Sequence, residues 1–186
     1  MSRWLMIVGL LVLVVAVGIG WRLHDKGGGI IDLSAKDKEA HMQLTSPAFN
    51  DNEMIPTIYT CKGQAINPPL AIAGVPAEAK SLALILHDPD APSGDFLHWI
   101  VWNILPETNE INEDSVPPDA VQGMNTAGSN KYAGPCPPSG THHYKFDLYA
   151  LDDMINLPGS TSREDVESAM ASHVLARSTL TGLFGQ

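Results

Sequence analysis

Short apolar runs separated by turn-forming residues limit the possible folds of this 186-residue chain more than any other feature. Each run has the length of a strand, and the 14 prolines and 16 glycines are scattered rather than periodic. No long helical pattern lies between the runs, which disfavours alternating βαβ units. The pattern predicts a mainly β, antiparallel β-sandwich with strands at Met42–Thr45, Ile55–Thr60, Leu70–Ala73, Leu82–His87, Phe96–Leu105 and Tyr144–Leu151.

The run Phe96–Leu105 is apolar on both of its faces. A strand of this kind is covered on both sides, so we expect it to be central, with His98 facing inward or into a cavity. Simple alternation divides its residues into two sets. These are Phe96, His98, Ile100, Trp102 and Ile104 on one face, and Leu97, Trp99, Val101, Asn103 and Leu105 on the other.

One helix is predicted near the C-terminus. Thr161 and Glu164 form a Thr-x-x-Glu capping signature, which is typical of a helix start. The apolar residues that follow at helical spacing are Val166, Ala169, Met170 and Val174. We expect this C-terminal α-helix to pack its apolar stripe against a sheet.

The amino-terminal segment is long and apolar. Residues 4–21 carry no charge, and as a helix they would span about 27 Å, which is close to bilayer thickness. We predict an N-terminal hydrophobic helix at residues 1–22, a membrane anchor or a signal segment. An uncleaved anchor is favoured because the apolar stretch is longer than that of a signal peptide and lacks an Ala-x-Ala site. The triple glycine at 27–29 predicts a flexible linker over 23–40, followed by a folded domain at 41–186.

The charges flanking this segment give conflicting orientations. One basic residue, Arg3, precedes it, and the larger number that follow favours a cytoplasmic body. A short tail with one arginine before a long apolar run is typical of export signals. We therefore predict a membrane-anchored or exported protein with an extracytoplasmic body. The basic residues after the segment are Arg22, Lys26, Lys36 and Lys38.

Net charge and cysteine content limit the partners and the compartment. A formal net charge of −10 argues against nucleic acid as a partner, since binding to phosphate backbones requires a basic face. Any bound anion must therefore be held by local donors. The two cysteines, Cys61 and Cys136, could form a disulfide if the body is exported, and would be free thiols if it is cytosolic.

Two proline-rich motifs carry the polar residues of interest. The first, DPDAP at 88–92, follows an apolar run and is compatible with a simple turn. The second, GPCPPSG at 134–140, is a stiff loop that continues into THHYKF at 141–146. Binding residues favour such loop-to-strand junctions on a rigid scaffold, so this continuation indicates a site.

The two motifs, with an inward-facing His98 between them, resemble the phosphatidylethanolamine-binding protein (PEBP) family. This family is also called the Raf kinase inhibitor-like family, and the chain resembles its bacterial and archaeal branch. The resemblance covers about residues 41–185. Its other segments are YTCKG at 59–63, NPPL at 67–70, GMN at 123–125 and LYALD at 148–152. It implies two packed sheets, a C-terminal helix and a small pocket for phosphate-type anions.

The resemblance implies a ligand-binding pocket, with no catalytic residue, cofactor or metal. By position, the pocket residues are Asp88, Pro92, His98, Gly134, Pro135, Pro138, His142 and Tyr144. It also implies a cis peptide bond before Pro92. Strand alternation agrees that His142, rather than His143, takes the pocket position, because His142 and Tyr144 share a face.

Each polar pocket residue has an expected role. Asp88 is expected to hold an imidazole in one tautomer or to accept hydrogen bonds from a cationic head group, and Gly134 to let the backbone approach the ligand. His98 and His142 are expected to supply N–H donors, and Tyr144 a hydroxyl. With imidazole pKa values near 6.5, phosphate affinity should rise as the pH falls from neutral toward about 6.

Two enzymatic readings compete with this binding role. A metal-dependent hydrolase could draw its ligands from several side chains, but neither His-Glu-x-x-His nor Cys-x-x-Cys spacing occurs. A covalent hydrolase is disfavoured because the chain lacks a Gly-x-Ser-x-Gly elbow and Cys136 has no assigned base. The possible metal ligands are His87, Asp88, Asp90, His98, His142 and His143.

A protein-interaction role is the main alternative to a small anion or phospho-head-group ligand. The resemblance implies kinase and serine protease partners in eukaryotic members. This chain departs from animal members in the shorter join before His98, in Cys136 and in its N-terminal hydrophobic segment. Kinase regulation is therefore not carried over, and inhibition of a protease or kinase through a surface contact stays as the alternative.

Overall fold

The computed structural model describes residues 41–185. The predicted anchor or signal segment at 1–22 and the linker at 23–40 lie outside the described residues. No helix within 41–185 has the length and hydropathy needed to cross a membrane. The prediction of a mainly β domain with a helix near its C-terminus is confirmed.

The described strands are numbered in chain order, with helix α1 (Arg163–Met170) between the last two. They form a three-stranded antiparallel sheet, β1-β3-β6, and a six-stranded sheet, β2-β9-β8-β4-β5-β7, in which only β2 and β9 pair in parallel. The finer description of these sheets as a sandwich stays a prediction. The strands are β1 (Gln43–Thr45), β2 (Glu53–Met54), β3 (Leu70–Ala73), β4 (Ser81–Asp88), β5 (Phe96–Ile104), β6 (Glu110–Ile111), β7 (Val121–Gln122), β8 (Thr141–Leu151) and β9 (Val174–Gly185).

Buried apolar side chains form two clusters among the described residues. The larger cluster contains residues of both sheets, such as Ile72 of β3 and Leu84 of β4. The smaller contains Ile85 of β4 and Val166 of α1. Because β4 contributes to both clusters, this strand is buried on both faces, and its end provides a rigid position for polar side chains.

Strand β5 is buried on both faces, as predicted, but it lies next to the edge strand β7 rather than at the centre of the sheet, and its side chains do not alternate simply. Leu86 pairs with Trp99 whereas the next residue, His87, pairs with Leu97, so His98 is an extra residue in a β-bulge. A bulge redirects side chains and leaves one residue outside the regular pairing. The predicted division into faces is therefore wrong. The buried residues divide into Leu97, Ile100 and Trp102 in one cluster, and Trp99, Val101 and Ile104 in the other.

The strand predicted at Ile55–Thr60 is also wrong. The chain forms the two-residue strand β2 before it and a 3₁₀ helix at Thr57–Tyr59. Pro56 precedes this helix with φ −56°, a value that suits a helical turn, and proline provides no N–H for a strand ladder. The other predicted runs are strands whose ends differ from the prediction by no more than three residues.

The C-terminal helix begins later and ends earlier than predicted. Ser162, rather than Thr161, is the N-cap, and its Oγ accepts a hydrogen bond from the Asp165 N–H at 3.2 Å. This is a Ser-x-x-Asp cap one residue beyond the predicted signature. Val174 is not helical, because it begins β9.

Strand β9 was missed by the sequence analysis, although it has 12 residues and pairs along the whole of β8. Its core-facing side chains include Leu180 and Phe184, but Gly182 lies between them. A Cβ at Gly182 would collide with Ile55 and Phe49, so close packing excludes a larger apolar residue there. The alternating pattern was weak for this reason.

Candidate functional site

Three strands of the large sheet bring polar side chains to one end of it. Asp88 ends β4, His142 lies near the start of the antiparallel strand β8, and His98 is the bulge residue of β5. All three line a cavity of about 480 Å³. Segments that are far apart in the sequence therefore meet at one place.

The cavity contains most, but not all, of the predicted pocket residues. Pro92, Gly134 and Pro138 line it together with the three polar residues, whereas Pro135 and Tyr144 do not. The sequence analysis missed several other lining residues, which lie next to the motifs in the chain. These are Ala91, Ser93, Phe96, Ala133 and Cys136.

Asp88 is buried and accepts two hydrogen bonds. Its Oδ2 is 2.8 Å from Nδ1 of His142, and its Oδ1 accepts the backbone N–H of Asp90 at 2.9 Å. An ionised carboxylate can only accept, so His142 carries a proton on Nδ1 and its Nε2 is left for other contacts. Asp88 of the first motif therefore both stabilises the turn and orients the His142 imidazole.

His98 is held by the loop that precedes the proline-rich motif. Its Nδ1 is 2.8 Å from the Ala133 carbonyl oxygen, and a carbonyl only accepts, so the proton is on Nδ1. Burial lowers the pKa of His98 below its ordinary value, and the bond to Ala133 opposes this shift only in part. The neutral ring presents Nε2 as an acceptor, which corrects the expectation of an N–H donor there.

Tyr144 lies beneath the cavity and contacts both imidazoles. Its ring centroid is 5.2 Å from that of His98 and 6.4 Å from that of His142. The hydroxyl is buried and makes no hydrogen bond of good geometry within residues 41–185, although the Asp88 carboxylate and the Cys136 backbone are near it. Burial raises the pKa of Tyr144, and the charge of Asp88 raises it further, so the phenol keeps its proton. A buried donor without a well-formed hydrogen bond lowers stability, and the Trp102 indole N–H is a second such donor in the described residues.

The proline-rich loop is attached to the segment around Cys61. Cys61 and Cys136 form a disulfide, which decides between the two alternatives left open by the sequence, and the Cys61 N–H donates to the Pro135 carbonyl at 3.1 Å. A Cβ on Gly134 would lie 2.9 Å from the carbonyl carbon of Thr60. Glycine is therefore required for close approach to this neighbouring backbone. Gly134 also lines the cavity, so its expected approach to a ligand stays a prediction.

The predicted cis bond before Pro92 is wrong, because no peptide bond in the described part of the chain is cis. The trans form is the intrinsically more stable one for X-Pro bonds. The turn closes without a cis bond, through a hydrogen bond from the Gly94 N–H to the Ala91 carbonyl at 3.0 Å.

Asn125 is a buried residue whose positioning role the sequence analysis missed. Its side-chain amide donates to the Lys131 carbonyl at 2.8 Å and to the His98 carbonyl at 3.4 Å, and its oxygen accepts the Ser129 N–H at 3.1 Å. These bonds fasten the loop that supplies Ala133 to His98. The GMN segment was used only as a point of resemblance to the family. The local signal for this role was Ser129, four residues after Asn125, whose N–H can reach the Asn125 side chain.

The possible metal ligands are distributed over separate groups. Asp88 pairs with His142, Asp90 pairs with His143, and His87 bonds to other carboxylates. Within the described region, no set of three or more His, Cys, Asp or Glu side chains is arranged to hold a metal ion.

The fold and the cavity define a class of mainly β domains with a histidine-lined cavity at one end of a large sheet. The family profile described as "Phosphatidylethanolamine-binding protein" matches residues 45–185. The chain therefore belongs to the phosphatidylethanolamine-binding protein family, and the predicted resemblance is confirmed.

Relatives of this chain occur in archaea and bacteria. A UPF0098 protein of Methanothermobacter thermautotrophicus is 50% identical over 148 residues, which are 77% of this chain and 98% of that protein. A UPF0098 protein of Chlamydia muridarum is 44% identical over 150 residues, which are 78% of this chain and 99% of that protein. Each of these relatives is matched over almost its whole length.

Two solved structures share the fold. A putative PEBP homolog from Chlamydia trachomatis has a TM-score of 0.76 and 42% identity, with 79% of this chain and 99% of that chain covered. An E. coli protein described as a new member of the mammalian PEBP family has a TM-score of 0.74 and 30% identity, with 78% of this chain and 99% of that chain covered.

Proposed function

We propose that the domain is a non-enzymatic binding module whose cavity accepts a small anionic or phospho-head-group ligand. The observation that carries this proposal is the convergence of Asp88, His98 and His142 on one cavity, with the Tyr144 ring against both imidazoles. Buried polar groups with unused hydrogen-bonding capacity are the groups that orient a ligand in an otherwise apolar pocket.

Covalent catalysis has little support in this geometry. Cys136 lines the cavity but is joined to Cys61, so it cannot act as a thiolate nucleophile. The bonded ring nitrogens of the two cavity histidines contact Ala133 and Asp88 and no serine hydroxyl. Binding therefore accounts for these side chains better than hydrolysis does.

We also propose that the domain lies on the extracytoplasmic side of a membrane. The disulfide supports this location because such bonds persist in oxidising compartments and are rare in most cytosols. Inhibition of a protease or kinase through a surface contact stays a prediction, since no surface feature of residues 41–185 selects such a partner.

Removal of the Tyr144 hydroxyl tests the proposal. Titration calorimetry of the full-length protein with phosphoethanolamine should show saturable binding, which Tyr144→Phe weakens about ten-fold because Asp88 and the two imidazoles lose the hydroxyl beside them. The variant should be no less stable than the wild type, because it removes a buried hydroxyl that has no partner.

Tyr132→Phe is the matched control. The Tyr132 hydroxyl is also buried, but it donates to the Tyr59 carbonyl at 2.9 Å and lies outside the cavity lining. Its loss should lower stability by about 1 kcal/mol and leave affinity unchanged. The proposal is wrong if neither phosphoethanolamine nor inorganic phosphate binds the wild type between about pH 5 and 8.

A further inference from the structure

The cavity offers a phosphate few fixed hydrogen-bond donors. The Nδ1 protons of His98 and His142 are committed to the Ala133 carbonyl and to Asp88. Whenever a ring is neutral its Nε2 is a lone-pair acceptor, and neither Nε2 bonds another residue in the described region. The side-chain donor that is left in the cavity lining is the Ser93 hydroxyl, because Tyr144 does not line the cavity and its hydroxyl is buried.

The charge around the cavity also disfavours a dianion. The carboxylate of Asp88 lines the cavity, and acidic groups outnumber basic ones near the two imidazoles. A phosphate oxygen and an unprotonated Nε2 are both hydrogen-bond acceptors. Placed against each other they cannot form a hydrogen bond, and both buried atoms are left unsatisfied. The titratable groups that act on His98 electrostatically are Asp88, Asp95 and His87. Asp90, which is paired with His143, acts on His142, and the Tyr144 ring lies against both imidazoles.

A proton taken up on binding removes both problems. It can form an O–H bond on the phosphate or an N–H bond on an Nε2, and in either case the proton comes from the solvent buffer and lies between the two former acceptors. A phosphate monoester has a second pKa of about 6 and can carry this proton itself. A phosphodiester has no second ionisable proton, so with neutral imidazoles its only side-chain donor in the lining is the Ser93 hydroxyl, and it binds weakly unless an imidazole is charged.

We infer that the cavity binds phosphate-type anions together with at least one proton, and that its ligands are phosphate monoesters rather than phosphodiesters. This inference rests on the proposed function, since it specifies the ligand of the same site. The inference predicts that a free phosphate monoester binds, whereas the phosphodiester of an intact phospholipid head group does not bind well.

Calorimetry with methyl phosphate and dimethyl phosphate tests the inference. At about pH 7.5 free methyl phosphate is mainly a dianion, so its binding to the full-length protein should take up close to one proton. Titrations in buffers with different heats of ionisation measure this number. Dimethyl phosphate should bind at least about ten-fold more weakly.

Two variants locate the proton. His142→Gln places an amide N–H near the former Nε2, so proton uptake and the dependence of affinity on pH should both fall. His143→Gln is the control, because His143 forms a similar pair with Asp90 but is exposed and does not line the cavity. It should bind with the same proton uptake as the wild type.

The outcomes separate the inference from the proposed function. Equal affinities for the two esters, identical binding heats in all buffers, or a loss of proton uptake in His143→Gln would each overturn the inference while leaving anion binding intact. If neither ester binds between about pH 5 and 8, the proposed function fails and the inference fails with it. Should His142→Gln be unfolded by circular dichroism, the wild-type comparison of the two esters decides.

Discussion

His87 and Asp88 are neighbours on β4, yet they belong to two histidine–carboxylate groups on opposite faces of the large sheet. Asp88 contacts His142 in the cavity. His87 faces the other way and contacts Asp147 of β8. The two groups use the same residue types, so their difference lies in how completely the polar atoms are bonded.

Every polar atom of the His87 ring has a partner. Nδ1 is 2.6 Å from Asp95 and Nε2 is 3.1 Å from Asp147, which also accepts from Arg177 at 2.7 Å and Thr179 at 2.5 Å. Burial alone would lower the pKa of His87, but the two carboxylates raise it above its ordinary value. Burial opposes ionisation of Asp147, whose pKa these donors nevertheless hold well below its usual range.

The cavity group is bonded only in part. Each of its imidazoles uses one ring nitrogen within the described region, and the Tyr144 hydroxyl uses none. A fully bonded buried network stabilises the strands that it joins, whereas unused buried polar atoms reduce stability and favour a ligand. We therefore interpret the His87 group as structural and the cavity group as a binding site.

The largest expected effect comes from the covalent link that holds one wall of the cavity. Cys61→Ser combined with Cys136→Ser opens a loop of 75 residues and should lower the free energy of unfolding by about 4 kcal/mol in urea denaturation. Each single variant should lose as much as the double variant, because either one breaks the bond. A loss below about 1 kcal/mol would show that the wall is held by its other contacts.

A smaller effect should distinguish the two carboxylates. Asp147→Asn removes the charge that three donors share in a buried position and should lower the free energy of unfolding by about 3 kcal/mol. Asp88→Asn should lower it by only about 1 kcal/mol, since a single imidazole and one backbone N–H depend on Asp88. Equal losses in thermal or chemical unfolding would contradict the comparison.

The smallest expected effect is a difference between His87 and His98 in how their contributions to stability depend on pH. Because the pKa of His87 is raised on folding, its stabilisation is complete below about pH 6.5 and is lost as the pH rises through the folded value. Because the pKa of His98 is lowered, its contribution is complete above about pH 6.5 and is lost as the pH falls toward the folded value.

Stability measurements on two variants from about pH 5 to 9 check these signs. The free-energy cost of His87→Gln should decrease as the pH rises, whereas the cost of His98→Gln should increase between about pH 5 and 7. Parallel pH profiles for the two variants would show that the two groups do not differ in the way inferred here.

Much of the fold could be predicted where the signal is local. The runs ending near His87 and Leu151 are strands because continuous or alternating apolar residues favour them. Strand β9 could not be found in this way, because Gly182 replaces a large apolar residue where Ile55 and Phe49 pack closely. The faces of β5 were wrong because a bulge interrupts the period on which the prediction depended.

The positions of the site residues could be predicted, but their hydrogen bonds and proton positions could not. Resemblance located Asp88, His98 and His142, and the structure places them around one cavity. The role of Gly134 and the bonds of Asn125 depend on backbone segments that lie far away in the sequence. No local pattern could show that the Ala133 carbonyl accepts a hydrogen bond from the single N–H of the neutral His98 ring.

The sequence by itself determined the mainly β class, the family and the two motifs, because these depend on residue type and order along the chain. Only the tertiary structure decided the disulfide, the bulge at His98 and the direction of each imidazole proton. The physical reason is that hydrogen bonds and close packing depend on which distant backbone atoms become neighbours, and residue order does not specify this.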